Sequence, residues 1–434
     1  MSRIVLAAVA TPGHVFPVFT ISAHLIAQGH DVTIFSGSLF QEQAEALGAS
    51  FVSFDKQVDV DYRCLEKHFP ERGELAPGNA QMALAVRQFF AAPIPVLSSQ
   101  LMQVLEEEQA DLLIIDNTFY SALPLLQKSA GERIPVIAIG VTPLPWSSRD
   151  TIFWGPRIPP ELLPADLTRE QLVDEETQQL IKQVREAFNQ TLAAVDCPPL
   201  TRDHNDVLMS SVDRFLQLAT ESFEFSRDDL PETVEFIGSL GVKVEDDNTQ
   251  INWPDESLPL ILVTQGTLAN IDFNQLLLPT LRALANLPVR VLAITGGRSF
   301  DKLGEDIPEN ARVVEYLNFE HWLPRASVFI TNGGYGSLNS AIRHGVPLVV
   351  AGTGDGKLEA VARVIWSRCG ISLHTDTPSE QQLYQAVTRI LSSPIWHQQA
   401  QIIKADYAAH NALESITRHV DELIAQSAWR ATKV

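Results

Sequence analysis

Cysteine is nearly absent. Cys64, Cys197 and Cys369 are the only three in 434 residues, and no two stand as CxxC, so the sequence carries neither a disulfide framework nor a thiolate zinc site. That usage leads us to expect a reducing compartment, the cytoplasm. Basic residues are also short: 32 Lys and Arg face 53 Asp and Glu, a formal net charge of −21. Phosphate backbones are held by clustered cations, so no nucleic-acid partner is expected. The acidic surplus favours solubility without naming a ligand. No apolar run approaches the roughly 18 residues of a membrane span, so no transmembrane segment is expected. The opening MSRIVLAAVATPG carries Ala8-Val9-Ala10, which fits a signal-peptidase pattern. The apolar stretch is short, however, and a Gly-His loop follows at once, so a buried first strand is expected. GxGxxG, the dinucleotide fingerprint, does not occur.

What is present is an alternation of apolar runs with helical patterns. Ile4–Ala10, Asp31–Phe35, Ser50–Phe54, Asp111–Asp116 and Ile134–Gly140 read as strands, and 17–28 reads as a helix stopped by Gly29. Phe215–Ala219 and Glu235–Ile237 close this half. The pattern loosens over 59–81 and in the proline-rich stretch 142–168, which read as long loops. An acidic, turn-rich segment follows, GVKVEDDNTQINWPDESLP. The alternation then restarts at LILVTQG, VRVLAITGG, ARVVEYL, SVFITN and VPLVVAG. Continuous apolar strands separated by helices indicate parallel sheets covered on both faces. The expected fold is α/β, two doubly wound Rossmann-like domains facing each other, with ligands at the carboxyl ends of the strands. The expected division is 1–240, a linker 241–258, a second domain 259–394 and a helical segment 395–434, whose last helix packs back on the first domain.

In VFITNGGYGSLNSAIRHGVPLVV three glycines, Gly333, Gly334 and Gly336, lie between a strand and a helix. Bare backbone there lets N–H groups close on phosphate oxygens at a helix N-terminus. A tight turn with no ligand accounts for the glycines equally well. Ser337 could cap the helix or donate its hydroxyl. GTGDGKL (352–358) imitates a P-loop but lacks its spacing and its Ser or Thr. Asp59-Val60-Asp61 imitates a metal-holding DxD but sits in an irregular acidic stretch, and no metal site is expected.

TPGHVFPVFTISAHLIAQGHDVTIF near the start resembles the G-H-x-x-P loop, helix and G-H-x-V-T strand of the nucleotide-sugar glycosyltransferases with the GT-B fold. The family in question is family 1, which holds plant flavonoid UDP-glycosyltransferases and bacterial macrolide glycosyltransferases. EYLNFEHWLPRASVFITNGGYGSLNSAIRHGVP, continued by DGKLEAVARV, is similar to its donor signature. The resemblance covers nearly the whole chain.

It implies that His14 is the general base on an acceptor hydroxyl and that Asp116 holds its imidazole. The chemistry agrees, since a hydroxyl is a poor nucleophile until a base takes its proton and an imidazole titrates near neutrality. Gly266 and Thr267 match a phosphate-contacting loop. Tyr316, with Leu317 beside it, stands where the family usually stacks a tryptophan on uracil. Asn332 stands where histidine commonly meets the diphosphate; alternatively it is a turn residue. Gly334, Gly336 and Ser337 match well, and Ser340 replaces the usual ribose-gripping acid. Asp355, Lys357 and Glu359 are placed near the sugar or diphosphate; a solvated helix start would explain them as well. The implied activity is inverting, metal-independent and cofactor-free transfer from a UDP-sugar or other NDP-sugar. The implied acceptor is the hydroxyl of a small lipophilic compound such as a phenolic, polyketide, terpenoid or lipid. The enzyme is expected to be a monomer or weak dimer. A nucleotide-sugar epimerase of similar architecture is the alternative; the long apolar loops near Phe89–Phe90 and 144–154 favour an acceptor pocket instead.

Overall fold

Runs such as Leu112–Asp116 and Leu260–Thr264 are buried along their whole length, which a strand achieves only when both faces of its sheet are covered. A computed structural model describes residues 1–75, 78–148, 171, 173–241, 251–267, 270–300, 307–354 and 357–431. Within them the chain forms two α/β units. The first comprises Met1–Leu218, Ser226–Leu240 and Asn411–Val434, and the second Ala219–Phe225 and Gly241–His410.

The first unit holds a seven-stranded sheet in the order β3-β2-β1-β4-β5-β6-β7. Its strands are β1 (Arg3–Ala7), β2 (Asp31–Ser36), β3 (Ser50–Ser53), β4 (Leu112–Asp116), β5 (Val136–Gly140), β6 (Arg214–Gln217) and β7 (Val234–Phe236). Every pairing is parallel, with Ile4 level with Val32 on one side and Leu112 on the other. The chain winds outward from β1 to β2 and β3, then returns to add β4 on the other edge of β1. The reversal opens a crevice at the carboxyl ends of β1 and β4, where ligands of such sheets bind. Beneath it Phe35 meets Phe54 edge-on at 4.9 Å and Phe119 at 6.0 Å. Truncating a ring packed in this way costs about 3–5 kcal/mol.

The second unit repeats the plan with six strands in the order β10-β9-β8-β11-β12-β13. They are β8 (Leu260–Thr264), β9 (Arg290–Ile294), β10 (Ala311–Val314), β11 (Ala326–Thr331), β12 (Leu348–Val350) and β13 (Gly370–Ser372), again all parallel. Its winding reverses between β8 and β11. The glycines expected at strand ends lie just beyond the strands, because Gly266, Gly296, Gly297 and Gly333 take φ between +68° and +88°, outside the extended region.

Four expectations need correction. The first helix begins at Pro12, not at 17, so His14 lies in its first turn. Proline suits a first helical position, and Pro17 is accommodated inside the helix. Phe89 and Phe90, expected on a loop, lie in a wide helical turn, Val86–Ala91. That turn belongs to a helical stretch, Asn79–Glu107, long and apolar enough to cross a membrane by length and composition, although no such run was expected. Its Ile94, Leu97 and Leu101 are core residues of the first unit, which explains the composition. The helical tail divides: Ile395–Ala408 stays with the second unit, and only the helix from Ala412 returns to the first, burying Ile416 and Val420 in its core.

Candidate active site

In the first unit the crevice between β1 and β4 brings His14 and Asp116 together. The helix Pro12–Ala27 starts five residues after β1 and carries His14 at its third position. Asp116 is the last residue of β4 and is fully buried. His14 Nδ1 stands 2.9 Å from Asp116 Oδ1. The other carboxylate oxygen accepts the Val9 N–H at 2.7 Å, and Thr118 donates its N–H to Oδ1 at 2.8 Å and its hydroxyl at 2.5 Å. Burial works against the Asp116 charge, but the charge of a protonated His14 ring and the hydrogen bonds from His14, Thr118 and Val9 outweigh it and hold its carboxyl below the usual range. A carboxylate only accepts, so the imidazole proton of this pair is on Nδ1 and the lone pair is on Nε2. The arrangement is that of a general base with its orienting acid.

Aromatic side chains surround this end of the sheet. Phe16, two residues after His14, is 45% exposed, and its ring lies 6.3 Å from Phe40, which stacks on Tyr62. Phe89, Phe90 and Tyr120 form a second run of edge-to-face contacts. Of the proline-rich stretch, 149–170 lies outside the described residues. Asp59 accepts the Ser38 N–H and Asp61 pairs with Arg63 at 2.9 Å, so local structure engages both DxD carboxylates. Among the described residues no group of three His, Cys, Asp or Glu is placed to hold a metal.

In the second unit the glycine loops converge beyond β8, β9 and β11. Asn332 donates its side-chain amide to the Gln265 carbonyl, and a Cβ on Gly266 would lie 3.8 Å from Asn332 Oδ1. Gly333 is required twice over: its φ is +86°, and a Cβ would meet Val350 at 2.9 Å. Gly297 is likewise required, because with φ of +88° any side chain would run into the Tyr316 hydroxyl. Tyr316 therefore lies over bare backbone with its ring 69% exposed, as a stacking surface demands. Leu317 beside it is half-buried, and Thr267 is exposed.

Gly334 occupies the capping position of the helix Tyr335–Arg343, and no side chain caps it. Ser337, expected as a possible cap, instead sits inside the first turn. A Cβ on Gly336 would meet nothing within 4 Å. Packing therefore does not require that glycine, although it costs about 1 kcal/mol of helix stability relative to alanine. Lys357 starts the next helix, Lys357–Trp366, with its stem against Gly352. Ser340 is half-buried one turn further along its helix.

Glu359 departs from expectation. It is buried and pairs at 2.8 Å with Arg363, whose guanidinium also holds Glu224 at 2.7 Å and lies 4.4 Å over the Phe225 ring. Burial opposes the Arg363 charge, yet the two glutamates raise its basicity above the ordinary guanidinium value. Glu359 thus belongs to an ionic anchor that fastens Ala219–Phe225 into the second unit. Asp355 lies outside the described residues.

Sequence reasoning missed Thr118, Gln265 and the Gly296–Gly297 pair. The last had a signal, since ITGG after β9 repeats the strand-then-glycine pattern. Thr118 had none, because its role depends on where β4 stops, 102 residues after His14.

Comparison with known proteins adds three findings. Residues 279–423 match a family described as the C-terminal domain of proteins like erythromycin biosynthesis protein CIII. UDP-glycosyltransferase 2 of Phaeomoniella chlamydospora is 32% identical over 98% of this chain and 96% of its own length. The 4'-demethylrebeccamycin synthase of Lentzea aerocolonigenes is 31% identical over 98% and 100%. Among solved structures, the glycotransferase of kitacinnamycin superposes with a TM-score of 0.73 at 21% identity, covering 97% of this chain and 99% of that one. The calicheamicin glycosyltransferase CalG4 gives 0.73 at 18%, covering 98% of each chain.

Proposed function

The chain belongs to the family 1 nucleotide-sugar glycosyltransferases of GT-B fold, and on that premise we propose that it inverts the anomeric centre of a UDP-sugar or other NDP-sugar while transferring the sugar to the hydroxyl of a small, partly apolar acceptor. The observation that carries this reading is the His14–Asp116 pair, 2.9 Å apart at the reversal of the first sheet. Nε2 of His14 takes the acceptor proton as the hydroxyl oxygen attacks the anomeric carbon. The bond from that carbon to the diphosphate oxygen breaks with its electron pair, and the nucleoside diphosphate leaves. Attack opposite the leaving group converts an α-linked donor into a β-glycoside. Asp116 orients the imidazole and stabilises the imidazolium formed.

On the donor side, Gly266, Thr267, Gly334, Gly336 and Ser337 receive the diphosphate, Lys357 adds charge, and Tyr316 stacks on the base with Leu317 beside it. Backbone N–H groups and the helix dipole take up the leaving-group charge without a metal, and no cofactor takes part beyond the sugar nucleotide. The aromatic surroundings of His14 suit an apolar acceptor. Relatives named UDP-glucosyltransferase A1 and B1 of Starmerella bombicola, 28% and 31% identical, support a UDP-linked donor. Relatives named as transferases leave the epimerase alternative without support. The enzyme is proposed to act in the cytoplasm as a monomer or weak dimer.

The test is a donor panel against a pooled set of phenolic and aliphatic alcohols. The reading expects acceptor-dependent release of nucleoside diphosphate and, with an α-linked donor, products whose anomeric proton coupling is that of a β-glycoside. Retained anomeric configuration, or epimerised donor with no transfer, would overturn it.

A further inference from the structure

The Thr118 hydroxyl touches both members of the pair, 2.5 Å from Asp116 Oδ1 and 3.0 Å from His14 Nδ1. Since the carboxylate has no proton to give, the hydroxyl hydrogen goes to Asp116, and the oxygen turns a lone pair toward Nδ1–H. The Thr118 N–H donates to the same carboxylate oxygen at 2.8 Å, and Thr118 is itself buried. Asp116 Oδ1 therefore accepts the Nδ1–H hydrogen bond while two further donors of one residue fix its direction. We propose that Thr118 is a positioning residue of the transfer reaction, setting through its hydroxyl the orientation of Asp116 and, through it, of the His14 imidazole. The inference rests on His14 being the base.

Thr118→Val keeps the branched shape and the backbone N–H and removes only the hydroxyl. A buried O–H···O⁻ bond of this length is among the stronger hydrogen bonds. Its loss leaves Asp116 a more basic carboxylate that draws harder on the Nδ1 proton. Four results are expected. The plateau kcat falls by about 10-fold. KM for donor and acceptor stays within about twofold of wild type, a shift under roughly 0.5 kcal/mol. The acid limb of the kcat profile moves to higher pH. In the free protein, the proton resonance of His14 Nδ1 moves downfield. Thr118→Ser restores all four.

A Thr118→Val enzyme with the wild-type resonance and the wild-type pH profile, whatever its Tm, would overturn the proposal and make Thr118 a space-filler. So would a Ser variant that behaves like the Val variant. If the Val variant does not fold, Thr118→Ala against Thr118→Ser makes the same comparison. The resonance is read without turnover, so it decides the role of Thr118 separately from that of His14. Full activity in His14→Ala would instead sink the base assignment.

Discussion

Asn332, just past the end of β11, donates its side-chain amide to the backbone carbonyl of Gln265, just past the end of β8. One side chain thus ties together the two loops that flank the reversal of the second sheet. If these loops cradle the diphosphate of a donor, Asn332 holds that cradle in shape. Asn332→Ala is expected to lower Tm and to weaken UDP binding by about 10-fold, because an untied loop must be ordered at the expense of binding energy. Calorimetric titration checks this. A dissociation constant within about twofold of wild type, under roughly 0.5 kcal/mol, would show that the tie does not serve the ligand.

Gly336 separates ligand binding from folding. The space its side chain would fill is open, so Gly336→Ala removes backbone freedom from the unfolded chain without a clash. The variant is expected to be more stable by about 0.4–1 kcal/mol. If diphosphate approaches this turn, the same methyl weakens UDP binding. Thermal unfolding with and without UDP reads both effects. Raised stability with unchanged UDP affinity would remove Gly336 from the donor site.

Glu359 makes the opposite prediction. Removing the Glu359 carboxylate takes one charge-assisted hydrogen bond, worth about 1.5–3 kcal/mol, from the buried Arg363, whose charge Glu224 still compensates. Glu359→Ala is therefore expected to unfold at markedly lower denaturant while its folded fraction binds UDP with wild-type affinity. A variant of normal stability with tenfold weaker donor binding would return Glu359 to the sugar site.

The sheets were legible because each strand that is buried on both faces is a continuous apolar run, as in LLIID and LILVT, and such runs admit few other readings. The glycine-rich junction between β11 and the next helix was legible because three glycines in four residues mark a backbone that must turn sharply. The start of the first helix was not: TPGH reads as a loop, and only the structure shows proline at its first position. The ion pairing of Glu359 was not legible because its partner Arg363 is held by Glu224, distant in sequence, and EAVAR alone does not reveal that Arg363 is buried. β13 is three residues long, too short for any periodicity. The division of the helical tail at Asn411 likewise has no local mark, since both helices carry one apolar face.

Asp116 links the site to acid stability. Its carboxyl is held below the usual range, so its contribution is present above the ordinary carboxylate value and is lost as pH falls through the lower, folded one. Asp116→Asn is expected to flatten this loss in unfolding measured from about pH 5 downward. It also costs kcat, because an amide can donate to Nδ1 and favour the wrong imidazole tautomer. An acid-unfolding curve with the wild-type slope would mean that Asp116 is not the charged partner described.

The most direct test of the whole account compares His14→Ala with wild type on two acceptors, an aliphatic alcohol and a phenol already ionised at the assay pH. The variant should lose on the order of 10²–10⁴-fold in kcat with the alcohol. It should lose far less with the ionised phenol, which needs no base, and should bind UDP as wild type does. Near-wild-type turnover of the alcohol, or equal losses on both acceptors, would contradict the assignment of His14 as the base.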